Sequence, residues 1–580
     1  MTTVAKETKC LFCSLCCPMA VEIPAHGEPM VEFVDQDPVT QGRLCYRGHF
    51  VPELLNHPRR LTSGRVRKEQ KLVPCSPDVA LETVASALKT AIREQTLIFI
   101  DGNMACEDIG AGLAFAREVL PGCRAVVWMP PDDEQVLAGI ADVHSPATKM
   151  ENLSGSDLVL AIGDPFAGQP VIAKSVLDAK EAARGNQLIV IDTVRGKTAR
   201  FATIHLQPRL GMDLAAVAAL ASGLGIDVSD IVKCDAKVLP DSAGIDASGV
   251  AEVVEAVKSA RAPVVVLSMS AGKHANIRQI ACIAARIALK CGSLLPLLTY
   301  GNAVGAWSFA RANGALTTAE AMAALRDRQV NTILSVGAPI ADAVPQTWLQ
   351  VCLNRMSFVA SAMPMPSGID QYAHVSLPLG YWFESDGNAV DGVGNTTELH
   401  EMLPPPRGAL RVSELFERLG STITGTAFSS EEDGIPAMSG LKETASRLPV
   451  AMAGKAPDPI ILLRADGAGF AEGSIMRQCR WSRVMEHCPS VWVNPADAKA
   501  SCVNDKDTVT VRTEQGSAQA RVNVTNDVPA GCVAVSPNFP KTTALLDCSV
   551  DEEGQSIEFV PTEATLTRIE QEEGVYADNQ

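Results

Sequence analysis

Five cysteines near the start of the chain are the residues best placed to do chemistry. Cys10, Cys13, Cys16 and Cys17 crowd into one short run, CLFCSLCCP, and Cys45 follows within GRLCYRG. Reduced thiolates are soft ligands that favour iron–sulfur clusters and zinc. Three thiolates from one tight loop and a fourth from a distant position form the donor set of an iron–sulfur cubane. Two spacings fit, C-x2-C-x2-C through Cys16 or C-x2-C-x3-C through Cys17, and the residues alone leave both open. Pro18 prevents a helix directly after the run and keeps it compact. A tetrahedral zinc site is the competing reading. Such sites ordinarily use two separated C-x2-C knuckles, and the second is missing. A [4Fe–4S] cluster is therefore expected near the N-terminus. The chain has 17 cysteines, and those outside this group are scattered along strands and helices, where they read as small buried hydrophobes.

The rest of the composition narrows the setting of this chemistry. At 580 residues the chain exceeds what one hydrophobic core organises, so several domains are expected. A net charge of −17 argues against nucleic acid, whose phosphates need a basic surface, and suits docking to a basic partner protein. The N-terminus MTTVAKETKC has neither an apolar leader core nor a twin-arginine pair. A cytoplasmic location is expected, where thiols stay reduced and clustered cysteines bind metal rather than pair. No apolar run reaches the roughly 18 residues needed to cross a bilayer.

The elements that must position these thiols follow from periodicity. VALETVASALKTAIRE has apolar residues at helical spacing, and TLIFIDG after it is a buried strand. DIGAGLAFAREVL, PVIAKSVLDAKEAAR, LAAVAALASGLG and IRQIACIAARIALKCG are further helices, alternating with the strands RAVVWMP, DLVLAIGD, QLIVIDT, PVVVLSM and TILSVGAP. That alternation is the signature of doubly wound parallel α/β folds. Gly163, Gly301 and Gly337 mark strand-end turns, and ligands in such folds sit at the carboxyl ends of strands. The text turns polar and Gly/Ser/Pro-rich around 422–455, which reads as a linker. Beyond it VWVNPADA, DTVTVRTEQG, SAQARVNVT and GCVAVSP are short strands without long helices between them, a separate β-rich domain.

The run CLFCSLCCP…GRLCYRG…LLNHPRRLTSGRVR resembles the N-terminus of the molybdopterin oxidoreductases of the DMSO reductase superfamily. That family includes formate dehydrogenases and the large iron–sulfur subunit of respiratory complex I. The resemblance implies Cys10, Cys13, Cys17 and Cys45 as cluster ligands, with Cys17 preferred to Cys16. It implies Arg47, two residues after the last ligand, as the electron relay between cluster and pterin. SDLVLAIGDPFAGQPV is similar to the first loop for a pterin guanine dinucleotide, with Gly163, Asp164 and Pro165 at the strand end. In LIVIDTVRGKTARF the likeness puts Asp192 near a guanosine and Arg195 and Thr198 near a phosphate. YGNAVGAW, with Asn302 and Gly305, and LSVGAPIADAVP, with Gly337, resemble loops of the other lobe. HVSLPLGYWFESDGNAVDGVGNTTEL matches a further family segment, and VWVNPADAKASCVNDKDTVTVRTEQG, with Asn494, resembles the C-terminal dinucleotide-binding barrel. The physical logic agrees, because glycine at a strand end lets backbone N–H groups approach a phosphate. Each glycine on its own also reads as an ordinary turn residue.

The architecture so implied is α/β: a small [4Fe–4S] domain over 1–62, one α/β lobe from 63–140 and 290–425, and a second, interleaved lobe at 141–289. A linker over 426–457 and a double-psi type β-barrel over 458–580 complete it.

One departure from the family matters. Catalytic members hold Mo or W on a side chain directly before a segment that ADVHSPATKM matches here. Val143 occupies the ligand position, and valine has no lone pair to offer a metal. Cys123 is the nearest other cysteine. His144 reads either as a proton-handling catalytic residue or as a histidine retained in a vestigial pocket. Two functions follow. The first is an iron–sulfur electron-transfer subunit of a formate dehydrogenase-like redox complex, with a [4Fe–4S] cluster and molybdopterin guanine dinucleotide carrying Mo or W. The alternative is a molybdenum-free, non-catalytic subunit that wires electrons within a larger complex, like the complex I relative. The expected partners are other redox subunits, iron–sulfur or flavin chains.

Overall fold

The computed structural model describes residues 3–569, except 5–6, 25–28, 33, 35–36, 38–39, 144–149, 270–275, 344–345, 430–433, 437–449, 452–459, 464–474, 476–477, 481–483, 485, 537–538, 551–556 and 561. The chain opens on a small antiparallel sheet in which Pro18–Ile23 pairs with Thr3–Val4, Thr8–Lys9 and Met30–Glu32.

Two α/β sheets follow. One has seven strands in the order Lys71–Cys75, Gly64–Lys68, Val375–Pro378, Phe358–Met363, Thr332–Val336, Thr96–Asp101, Arg124–Trp128. Its first two strands form an antiparallel hairpin at the edge, and the other five are parallel. The second sheet is wholly parallel, in the order Ile204–Leu206, Gln187–Ile191, Leu158–Gly163, Pro263–Ser268, Ser293–Pro296. It interrupts the first sheet in sequence, which is the interleaving expected. The strand Ser293–Pro296 corrects the border placed at 289/290. It completes the inserted sheet, and the chain rejoins the seven-stranded sheet only at Thr332.

Local sequence explains these elements. Every residue of Thr96–Asp101, Leu158–Gly163 and Pro263–Ser268 is buried, as strands covered by helices on both faces must be. Ser76 caps the helix Pro77–Thr90 by accepting from Val79 N–H, with Pro77 at its first position. Thr317 and Glu320 form a reciprocal capping box on Thr318–Arg326. The helix Ile277–Cys291 packs against Pro131–Ala141 and Asp213–Gly223 over one face of the inserted sheet.

Gly163 ends its strand in the left-handed region at φ 87°, and a Cβ there would lie 1.9 Å from the carbonyl oxygen of Ser268 on the neighbouring strand. Gly163→Ala is expected to destabilise the chain by at least about 1–2 kcal/mol, the left-handed penalty alone, visible as a lower thermal midpoint.

The C-terminal domain is a six-stranded mixed sheet in the order Ile460–Leu463, Cys532–Val535, Ser490–Val493, Ser517–Val524, Thr508–Arg512, Thr565–Arg568. It forms a half-barrel around Val491, Val493, Val509, Val511, Val522 and Val535. Within the expected linker, Val450–Ala451 pairs in parallel with Val232–Lys233. The linker segments 437–449 and 452–457 lie outside the described residues. Among the described residues no helix is long and apolar enough to cross a membrane.

Candidate cluster and pterin site

The pairing Lys9↔Pro18 closes the cysteine run into a hairpin loop, and Cys10 N–H donates to Cys17 O at 2.8 Å across its mouth. Cys10, Cys13, Cys16 and Cys17 are all buried. Cys45 stands at the start of the short helix Tyr46–His49. Burial first of all raises the thiols of the loop above their usual range. Beyond that, Cys10 feels the charges of Cys45 and Cys13, and Cys17 feels Cys13, Cys10 and Cys45.

Cys16 behaves differently. It sits at φ 46°, its thiol donates to Gly301 O at 3.3 Å, and its leading charged neighbour is Asp391. Cys16 thus differs from the other loop cysteines in its backbone and in its hydrogen bond, while its thiol shares their surroundings through Cys13 and Cys10. A cubane gives each of its four irons its own thiolate, so the sulfurs need not converge on a point. Among the described residues no three His, Cys, Asp or Glu side chains do converge on a single ion. The donor set fits a cluster.

Arg47 is 2% exposed. It donates to Phe12 O in the cysteine loop at 2.8 Å and to Gly168 O at 2.6 Å. Gly168 belongs to the turn that follows the strand Leu158–Gly163. Burial by itself favours loss of the guanidinium proton, but Cys45 and Cys13 hold Arg47 more basic than usual. A fixed cation thus joins the cluster loop to the first strand-end loop of the inserted sheet.

A second segment, 297–301, backs the cysteine loop. Ser14 N–H donates to Leu298 O at 3.1 Å, Leu298 N–H to Ser14 Oγ at 2.9 Å, and Gly301 N–H to Leu11 O at 2.9 Å. A Cβ on Gly301 would lie 2.4 Å from Leu11 Cα. Gly301→Ala is expected to push the loop outward, so that the protein loses visible absorbance faster than wild type on exposure to air. Asp133, in the first turn of Pro131–Ala141, anchors the same segment through the N–H groups of Thr299 and Tyr300. Burial pushes its acid up to about 7, against the pull of those two donors. Sequence reading passed over Asp133 because acids in PPDDEQ look like ordinary helix-start charges.

The residues assigned to the dinucleotide are placed as follows. Gly163, Asp164 and Pro165 lie at the carboxyl end of their strand, and Asp192, Arg195 and Thr198 follow the next one. Asp164 and Thr198 meet each other. Asp164 accepts from Lys197 N–H at 2.8 Å and from the N–H and hydroxyl of Thr198 at 2.9 and 2.6 Å. Asp192 is 1% exposed and accepts from Val194 N–H at 3.0 Å. Arg195 is exposed, and its N–H donates to Asp527 O at 2.9 Å. That contact and the packing of Val194 and Leu210 on Val528 and Ala534 seat the C-terminal sheet beside this strand end.

Asn302 is fully buried, donates to Met104 O at 2.7 Å and accepts from Val390 N–H at 2.8 Å. Gly305, one turn on, lets the helix Ala303–Ala312 close on Asn302 and Cys106. Gly337 sits against Met104 and Asp101 in the seven-stranded sheet. Asn494 caps Pro495–Ala500 and donates to Val528 O at 2.8 Å. The polar groups of Asp164, Thr198, Asn302 and Asn494 are thus engaged by the chain itself, which makes them supports of the loops.

Val143 is half-buried just beyond the helix Pro131–Ala141, its N–H on Ile140 O at 3.0 Å. His144 lies outside the described residues. Cys123 precedes its strand, at the amino end, and its thiol donates to Ala116 O at 3.5 Å. That is the end opposite to the one where ligands bind.

The fold and this loop define a class: an interleaved α/β scaffold with an N-terminal cluster domain and a C-terminal half-barrel. Family models agree. The model for molybdopterin oxidoreductase matches residues 60–420, that for its Fe4S4 domain 3–57, and that for the molydopterin dinucleotide binding domain 470–562. The chain belongs to the molybdopterin oxidoreductase family, whose cofactors are a [4Fe–4S] cluster and molybdopterin guanine dinucleotide.

Among curated relatives, F420-dependent formate dehydrogenase 1 subunit alpha of Methanococcus maripaludis is 26% identical over 218 residues, 37% of this chain and 32% of that protein. A subunit of the NADH-quinone oxidoreductase of Streptomyces coelicolor is 22% identical over 455 residues, 72% of this chain and 52% of that one. The match thus spans about a third of the formate dehydrogenase chain and about half of the NADH-quinone oxidoreductase chain. The solved acetylene hydratase from Pelobacter acetylenicus shares the fold, with a TM-score of 0.73 at 15% identity over 97% of this chain and 100% of that one.

Proposed function

We propose that this chain is the iron–sulfur electron-transfer subunit of a formate dehydrogenase-like complex in the cytoplasm, exchanging electrons with iron–sulfur or flavin partner chains. Cys10, Cys13, Cys17 and Cys45 would hold the cluster, which supplies one-electron transfer when bound. The observation that carries this reading is Arg47, a buried cation bonded to both the cysteine loop and the Gly168 turn. It provides a short, water-excluded and positively charged connection from the cluster to the cleft expected to receive the pterin dinucleotide. The loops around Gly163, Asp192, Asn302 and Gly337 would shape that cleft, with Arg195 left exposed to meet a phosphate.

A second reading has its own support. Val143 offers a metal nothing to bind, and the likeness to the NADH-quinone oxidoreductase chain extends over 72% of this protein. On that reading the chain wires electrons without molybdenum, and His144 has no catalytic task. Metal analysis of anaerobically purified protein separates the two. About four irons per chain without Mo or W supports the wiring role, and stoichiometric Mo or W supports a catalytic subunit. A colourless, iron-free preparation would sink both.

A further inference from the structure

The contacts that back the cysteine loop converge on one carboxylate. Asp133 is 2% exposed. Its oxygens accept from Thr299 N–H at 2.8 and 3.0 Å and from Tyr300 N–H at 2.9 Å. These two residues lie between Leu298, which exchanges hydrogen bonds with Ser14, and Gly301, which bonds Leu11 and receives the Cys16 thiol. Asn103 Oδ1 also takes Gly301 N–H, at 3.0 Å.

We propose that Asp133 is a positioning residue for electron transfer: it locks segment 297–301 behind the cysteine loop, and its buried charge lowers the cluster's reduction potential. This rests on the cluster reading given above. Reduction adds negative charge to a cluster, and a fixed carboxylate in a low-dielectric interior opposes it more than one in water would. An ionised carboxylate is costly to bury. Here the N–H groups of Thr299 and Tyr300 offset part of that cost through bonds to both of its oxygens.

The test uses the full chain purified anaerobically, with redox titration followed by electron paramagnetic resonance in alkaline buffer. Asp133→Asn keeps the side-chain volume and one acceptor oxygen but removes the charge. Its cluster content should match wild type while its midpoint potential moves to more positive values. Asp133→Glu keeps the charge and should hold the potential nearer to wild type. An Asp133→Asn protein with an intact cluster and an unchanged potential overturns the proposal. Should Asp133→Asn carry no cluster, Asp133→Glu decides: restoration of the cluster supports a need for the charge, and no restoration overturns it. Wild-type protein without a cluster would instead remove the underlying reading, so the two failures are distinct.

Discussion

Cys45→Ala is expected to abolish the visible absorbance and most of the iron of anaerobically purified protein, whereas Cys16→Ala should leave both close to wild type. Cys45 is the one proposed ligand outside the hairpin loop. Without it an iron loses its thiolate and the remaining three come from a single loop, which cannot close a cubane by itself. Cys16 is a poor replacement. Its thiol is committed to Gly301 O, and its backbone stands in the left-handed region at φ 46°. Alanine at position 16 meets the same left-handed penalty that cysteine already bears, about 1–2 kcal/mol, so the loop should keep its shape. Iron assay and absorbance of the two variants side by side check this. The reverse pattern, with Cys16→Ala colourless and Cys45→Ala intact, would exchange their roles.

That assignment shows which parts of the site a sequence can reveal. Candidate ligands crowded into eight residues are visible as types and spacing, and the alternation of buried strands and helices exposes the α/β lobes. What escapes is the destination of polar side chains. Asp164 and Thr198 carry the residue types of a phosphate site, yet they bond each other across two strand-end loops. Asn302 likewise spends its amide on Met104 and Val390. Such pairings depend on tertiary approach between distant segments, which local pattern does not encode. The same holds for Asp133, whose burial follows from where the 297–301 segment lands. The border at 289/290 failed for a related reason. SLLP is too short to announce its sheet, and only its register against Pro263–Ser268 places it.

Removing one partner of the Arg60–Glu384 pair should cost about 3–5 kcal/mol of stability, while replacing both costs less than either change alone. Arg60 Nη1 and Nη2 donate to Glu384 Oε1 and Oε2 at 2.8 and 2.7 Å. The residues are 8% and 1% exposed. Glu384 accepts also from Tyr381 N–H at 2.8 Å, and the Arg60 guanidinium lies 4.5 Å from the Tyr381 ring centroid. Burial holds the Glu384 acid above its ordinary value in spite of Arg60, so the pair gains little over an apolar contact of equal size. A single Arg60→Ala or Glu384→Ala change leaves the other charge buried without its counterion, and that is the source of the loss. Arg60→Met with Glu384→Leu removes both charges and keeps most of the volume. Denaturant unfolding of the three variants should therefore give strongly non-additive losses, and additive losses would show that the charges do not act as a unit. The consequence reaches the cluster, because Trp382, between Tyr381 and Glu384, packs edge-on against Phe12 of the cysteine loop at 6.0 Å between centroids. Disturbing the pair thus loosens the wall that the cysteine loop rests on, and the single variants should shed iron sooner than the double variant.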